Sequence, residues 1–513
     1  MKLLRLMSDK LLGIDVGTTG AKAVIFDING AVLSRGYTEY GVITPKPNWS
    51  EQAPEIWWNA VLKSVREAIK KARISSGDIS CVGLSGQTNG VICIDKEGAV
   101  LRPCIIWMDR RALKEVEFIK EKIGEQKFHE ITGVLVDPFY SICKILWIKN
   151  NEPEIFERTQ TILQPKDYVG FRLTGRRVLD VALASCTGTL DTRKKKYTEK
   201  ILESLDIPIE KFPELVNPTD VIGELTNESA KGLELSKGIP VVAGSGDAMV
   251  NTIGSGAINV GQAYAKTATV SDIVAPTDKP VLDSKFRFAT YVHPSLDKWL
   301  LMSGATGGGL CYRWFRDTFG QLEESISGDL GRNSYEIMNE EAERAEPGCN
   351  GLIFLPYLAG VRSPIWDPKA RGVYFGIGLE HRRGHFIRAV LEGVAYSMRR
   401  RIEIMENDLG ILIKEMSAVG GGGRSPIWRQ IIADVTSKPI LLTRGEEHEC
   451  LGAAILAGVG IRMYPNVDDA INKMVLITDR NEPNMKAHEK YSMFYQIYAS
   501  LYDKLRSSFH QLP

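Results

Sequence analysis

Three short apolar runs open the chain: LLGIDVG at 11–17, AKAVIFDI at 21–28 and AVLSRGY at 31–37. Glycine-rich punctuation separates them, and Asn29-Gly30 is a two-residue hairpin signal, so the segment predicts a β-hairpin or meander. From Ala53 to Arg73 the apolar positions switch to helical spacing, with Pro54 in the opening turn. SCVGLSGQ (80–87) predicts a buried strand ending in a glycine loop, and GVICID (90–95) another strand; 139–175 is mostly helical. The pattern then restarts. Pro240–Ala243 is a strand running into a second glycine loop, and GQAYAKTATVSDIV (261–274) is strand-like. Residues 392–407 are helical, SAVGGGGRSPIWRQIIADV (417–435) reads strand, glycine loop, helix, and ECLGAAILAGVGI (449–461) is a small-residue helix suited to close packing.

The two halves are weak repeats, each a strand-and-turn opening (Ile14 onward, Tyr264 onward) followed by helix, strand and glycine loop. They predict an α/β protein with two similar domains, 1–256 and 257–513, facing each other across an inter-domain cleft, the usual place for a ligand. Length agrees: 513 residues exceed the roughly 250–300 that one core sustains.

Charge removes several function classes. The net charge of +1 gives no attraction to nucleic acid or an anionic membrane. No run of 18 apolar residues exists, and Asp9 and Lys10 interrupt the apolar-basic start, Met1–Leu12, before a signal-length core forms. Eight scattered cysteines without a CxxC pair read as reduced thiols in a cytoplasmic protein. The run Arg193–Lys196 reads as a solvated loop, and Arg399–Arg401 as helix residues pairing with nearby acids.

Three constellations carry chemistry. In Gly13–Gly20 (GIDVGTTG) a carboxylate ends a strand and a tight turn follows, with Thr18 and Thr19 between glycines. Close backbone approach and hydroxyl donors suit phosphate, and Asp15 can hold a hydrated metal ion. Gly244-Ser245-Gly246-Asp247 repeats the theme, although Asp247 before AMVNTI also reads as a helix cap. Gly420–Gly423 places four glycines between a strand and a helix, which favours a nucleotide lying on that backbone.

In this order and spacing the motifs resemble the FGGY family of carbohydrate kinases, over roughly residues 11–500. Phe139–Ile148 looks like the family's N-terminal signature; Gly372–Ile377 with His385–Glu392 looks like its C-terminal one, and FLPYLAGVRSPIWDPKARG (354–372) is also typical. The resemblance implies two actin-like (ribonuclease-H-like) domains, ATP, Mg²⁺ and transfer of a γ-phosphoryl group to a sugar hydroxyl. By position it makes Asp247 the catalytic base and Asp15 the carboxylate that organises Mg²⁺ and phosphates. Thr18 and Thr19 match the phosphate-contacting turn, and Gly421 and Gly422 the nucleotide loop. Thr269 matches the threonine of a Gly-Thr phosphate turn, whose glycine is missing from Lys266–Val270.

Acceptor choice falls on Gln87, Thr88 and Asn89 in GLSGQTNG, where similar xylulose and gluconate kinases carry Met-His and glycerol kinases Arg-Glu. Trp107 offers a face for a sugar and Asp109 a hydroxyl acceptor. The expected substrate is a xylulose-like ketose or polyol. A gluconate- or glycerol-type acceptor stays open, as does a non-catalytic nucleotide-dependent sugar sensor. The expected partners are the small molecule alone, with no nucleic acid and no membrane, and a homodimer is left open.

Overall fold

The computed structural model describes residues 9–512; the apolar-basic reading of residues 1–8 lies outside them. The chain gathers into two compact units. The first takes the chain up to Gly256 and then Asp278–Leu300 and Glu447–Leu476; the second takes Ala257–Thr277, Leu301–Glu446 and the chain from Ile477 onward. A cut after residue 256 therefore marks the first junction, and two later segments return to the first unit.

In the first unit the strand order is Val221–Glu224, Pro240–Gly246, Ile79–Gly86, Lys10–Val16, Gly20–Asp27, Val32–Glu39. Lys10–Val16 runs antiparallel to Gly20–Asp27 and parallel to Ile79–Gly86, which is in turn parallel to Pro240–Gly246. The three parallel strands are buried along almost their whole length, which is why they read as continuous apolar runs. Helix Pro54–Ala72 packs Trp57, Val61 and Val65 into the same core as Leu12, Ile14 and Leu84.

The second unit repeats this plan. Its strands run in the order Trp299–Ala305, Ser271–Thr277, Gly261–Thr267, Ile413–Val419, Ile440–Thr443, Ile477–Asn481. Gly261–Thr267 is antiparallel to Ser271–Thr277 and parallel to Ile413–Val419; Ile413–Val419 is parallel to Ile440–Thr443, and the last strand is antiparallel. Each unit thus has the actin-like arrangement expected from the repeat, with strand 79–86 in the first corresponding to 413–419 in the second.

Three local readings change. The hairpin loop after Asp27 spans residues 28–31: the Asp27 carboxylate accepts from the amides of Asn29 and Ala31, both at 2.8 Å, so an aspartate-held turn replaces the two-residue one. Arg399 pairs with Glu403 at 2.8 Å, but Arg401 is fully buried and donates to the carbonyls of Ser271, Ser303 and Ser397. The small-residue helix His448–Gly460 belongs to the first unit, not to a 257–513 domain. It lies directly on the first sheet: a Cβ on Gly13 would stand 2.1 Å from the Cys450 carbonyl oxygen, and one on Gly83 2.0 Å from that of Ala453. All eight cysteines are buried and unbridged, and among the described residues no helix is long and apolar enough to cross a membrane.

Seating this helix backbone against backbone leaves no room for a methyl group. Gly83→Ala is expected to lower stability by about 1–3 kcal/mol, read from urea denaturation. Wild-type stability in that variant would show that the helix is not seated on the strand.

Candidate active site

The parallel strands of the first unit end flush. Val16 and Gly246 are both register partners of Gly86. Gly17, Gln87 and Asp247 therefore leave the sheet side by side, at the carboxyl ends where open α/β sheets bind ligands.

The turn after Val16 is braced from all sides. Gly17 N–H donates to Gly20 O at 3.0 Å, Tyr40 donates its hydroxyl to Gly17 O at 2.6 Å, and Gln52 Nε2 donates to Thr18 O at 2.8 Å. Thr18 Oγ1 accepts from Trp107 Nε1 at 2.8 Å and donates to Gln87 Oε1 at 3.4 Å. Thr18 thus ties the turn to the acceptor-side residues, while Thr19 is exposed. Gln87, itself buried, bonds to Gln52, a member of this set that the sequence did not single out. Trp107 meets Phe139 edge to face at 6.0 Å.

Asp15 is buried and accepts from Ser85 Oγ at 2.7 Å. Burial raises its carboxyl to about 7, with Glu449 and Asp247 adding to the shift while Lys22 and the Ser85 bond oppose it. Lys22 is the cross-strand partner of Asp15, and its ammonium lies 3.1 Å from Glu447. Burial works against that ammonium, but Glu449, Asp15 and Glu447 together hold it charged well above the ordinary lysine range. Asp247 is the first residue of helix Asp247–Gly254; Gly246 is the cap, and the Asp247 carboxylate accepts from the amide of Ala248 at 2.8 Å.

A buried charge network stands behind Asp247. Ser245 Oγ donates to Asp180 Oδ1 at 2.7 Å, and Lys166 pairs with Asp180 at 2.9 Å and with Asp167. Burial raises Asp167 to about 7; Lys166 opposes the shift and Asp180 adds to it.

The other acceptor-side residues are placed differently. Asn89 is wholly buried in the left-handed region (φ 61°), with its Oδ1 accepting from the amide and hydroxyl of Ser141 at 3.2 and 3.4 Å. Thr88 is half-buried beside it. Asp109 lies apart from the set: it accepts from Ser50 N at 2.6 Å and from Arg111 at 2.7 and 3.0 Å, and Arg111 packs on Trp49 at 3.6 Å.

The second unit carries its own cavity of about 530 Å³, which Thr269, Gly421 and Gly422 all line. Thr269 is exposed at the tip of its turn. Thr267, two residues earlier, is the better-placed hydroxyl: it is buried, lines the cavity, and its Oγ1 has no hydrogen-bond partner among the described residues. The alternation along strand 261–267 puts it there, and the sequence offered the string Lys266–Val270 without marking which threonine faces inward. Gly422 is packed: its Cβ would stand 2.6 Å from the Trp428 ring, whereas nothing lies within 4 Å of one on Gly421.

Two actin-like units, one with carboxylates at its strand ends and one with a cavity beside a glycine loop, define a class of actin-like fold proteins. The FGGY N-terminal domain of carbohydrate kinases matches residues 10–254 and the FGGY C-terminal domain residues 271–461. The chain is 31% identical to a gluconokinase of Bacillus subtilis over 99% of its own length and 98% of that protein. It is likewise 31% identical to a xylulose kinase of Lactococcus lactis subsp. lactis, over 98% of each. A ligand-bound xylulose kinase from Lactobacillus acidophilus superposes with a TM-score of 0.88 at 27% identity, covering 98% of this chain and 99% of that one. The chain belongs to the FGGY family of carbohydrate kinases.

Lys166 lies between two buried carboxylates, Asp167 and Asp180. Lys166→Met leaves them facing each other and is expected to cost about 3–5 kcal/mol of stability. Urea denaturation checks this; a loss below about 1 kcal/mol would mean that the pair is neutralised by protonation instead.

Proposed function

We propose that the protein transfers the γ-phosphoryl group of ATP to a hydroxyl of a xylulose-like ketose or polyol. The observation that carries this reading is the flush ending of three parallel strands, which presents Asp15 with Thr18 and Thr19, Gln87 with Thr88, and Asp247 along one edge. In this reading the first unit holds the acceptor and the phosphate turn, and the second holds the nucleotide. Asp247 aligns the acceptor hydroxyl and takes its proton as the new oxygen–phosphorus bond forms and ADP departs. Thr18 orients Trp107 and Gln87 toward the acceptor; Asn89 shapes the floor from within.

Asp15 is a hard oxygen donor, and among the described residues no cluster of three His, Cys, Asp or Glu side chains makes a closed metal cage. That donor set fits Mg²⁺, which takes one or two protein carboxylates and completes its shell with water and phosphate. When bound, the ion neutralises phosphate charge. The cytoplasmic location is part of the same proposal, supported by eight buried, unbridged thiols.

The direct test is coupled ADP release with ATP and Mg²⁺ across pentuloses, hexuloses, polyols and aldonates. D-xylulose is expected to be turned over, and a preference for D-gluconate would move the acceptor class. Asp247→Asn is expected to lower kcat by about 10²–10⁴-fold while ATP binding persists; turnover within a few-fold of wild type would reject the base.

For the nucleotide, Gly421→Val is the clean probe, because its side chain projects into open space whereas Gly422→Val collides with Trp428. Titration calorimetry is expected to show ATP binding weakened at least about tenfold, or about 1.4 kcal/mol. An unchanged Kd in the folded variant would refute the placement.

A further inference from the structure

The carboxylates given the central roles sit on different elements, and one short stretch of chain holds both. Asp247 opens helix Asp247–Gly254. One turn on, the buried Asn251 donates its Nδ2 to Glu449 Oε1 at 3.2 Å. Asp15 lies opposite Lys22, and the Lys22 ammonium stands 3.1 Å from Glu447 Oε2, with Arg35 3.4 Å from the other Glu447 oxygen. Glu447 and Glu449 flank His448 at the start of helix His448–Gly460.

The backbone beneath them leaves no slack. A Cβ on Gly254, the last residue of the Asp247 helix, would stand 2.0 Å from the His448 carbonyl oxygen; one on Gly452 would stand 2.1 Å from that of Val250. Two residues before Asp15, Gly13 meets the Cys450 carbonyl in the same way. Asn251 is fully buried, and a polar contact made there is stronger than in water and holds its geometry. Phosphoryl transfer depends on alignment, and a misplacement of about 1 Å costs about 10²-fold in rate.

We propose that Glu447 and Glu449 form a clamp that sets the spacing between Asp15 and Asp247. Glu449 acts on the Asp247 helix through Asn251, and Glu447 acts on the Asp15 strand through Lys22. They are positioning residues, and the inference rests on the roles proposed above for Asp15 and Asp247.

The test uses the full chain with ATP, Mg²⁺ and whichever of D-xylulose and D-gluconate the wild type turns over faster. Glu449→Ala and Asn251→Ala are each expected to lower kcat by about 10- to 100-fold. The KM values for sugar and ATP should stay within about threefold, because binding is not what the clamp supplies. The double variant should be no worse than either single one, since both break one contact. Glu449→Gln keeps an acceptor oxygen for Asn251 and is expected to restore kcat to within about threefold of wild type. A kcat for Glu449→Ala within about twofold of wild type overturns the clamp. So does a KM increase that accounts for the loss, or a Gln variant as poor as the Ala one. If Glu449→Ala does not fold, Asn251→Ala and Glu449→Gln carry the same comparison.

A wild type inactive on both sugars counts against the proposed acceptor class, not against the clamp. Crystal structures of wild type and Asn251→Ala then decide: the Asp15–Asp247 separation should change by more than about 0.5 Å, the tolerance of a productive constellation. An unchanged separation overturns the inference.

Discussion

The contact between helix His448–Gly460 and the first sheet is the constraint on which the rest of the first unit depends. A helix normally rests on a sheet through side chains, about 10 Å away. Here Gly13 and Gly83 on neighbouring strands, and Gly254 and Gly452 at the helix crossing, remove the side chains and let backbone meet backbone. The consequence is geometric. Cys450 and Ala453 can approach the strands only if those positions stay bare, and that approach carries residues 447–449 to the ends of the strands where Asp15 emerges. A segment far along the chain thereby becomes part of the surroundings of its first carboxylate.

Electrostatics follow from that packing. Asp15, Asp167, Asp180 and Lys166 are all buried, and each lies within a set of opposing and like charges. A buried carboxylate without a partner is expensive, so the structure pairs them: Ser85 and Lys22 beside Asp15, Lys166 between Asp167 and Asp180. The Lys166 network sits behind the strand ends, whereas Asp15 is the next-to-last residue of its strand. Asp247 is the half-buried exception, which agrees with the base role proposed for it.

What was legible in the sequence is what chain-local chemistry determines. Strand, glycine loop and helix follow from periodicity, and the same order in both halves gave the repeated sheet. Gly17–Gly20, Gly244–Asp247 and Gly420–Gly423 announce themselves because a glycine-rich turn at a strand end has few structural uses. Roles that depend on burial were not legible. Asp109 and Asn89 are polar residues in an acceptor-like context, yet long-range bonds from Ser50 and Ser141 occupy them, and Arg111 pairs with Asp109 locally. Lys22, Glu447 and Glu449 look like ordinary surface charges until the sheet register and the late helix bring them together. Thr267 and Thr269 differ only in which side of a strand end they fall, and a run of two threonines around one alanine does not encode that.

The four glycines at 420–423 show how a motif separates into distinct physical reasons. Gly420 has a φ of 85°, which disfavours any side chain. Gly422 is forced by the Trp428 ring and by Thr267, and a Cβ on Gly423 would stand 3.0 Å from Ala418. Those three are accounted for by the fold of the second unit. Gly421 is not: its φ lies outside the left-handed region, and no atom stands within 4 Å of where its Cβ would be. Folding alone does not explain why a side chain is missing there, and a glycine costs backbone entropy wherever it is used. The space it leaves open belongs to the cavity it shares with Thr267. In the function proposed above, the nucleotide lies against bare backbone at that point, which would supply the reason that the fold does not.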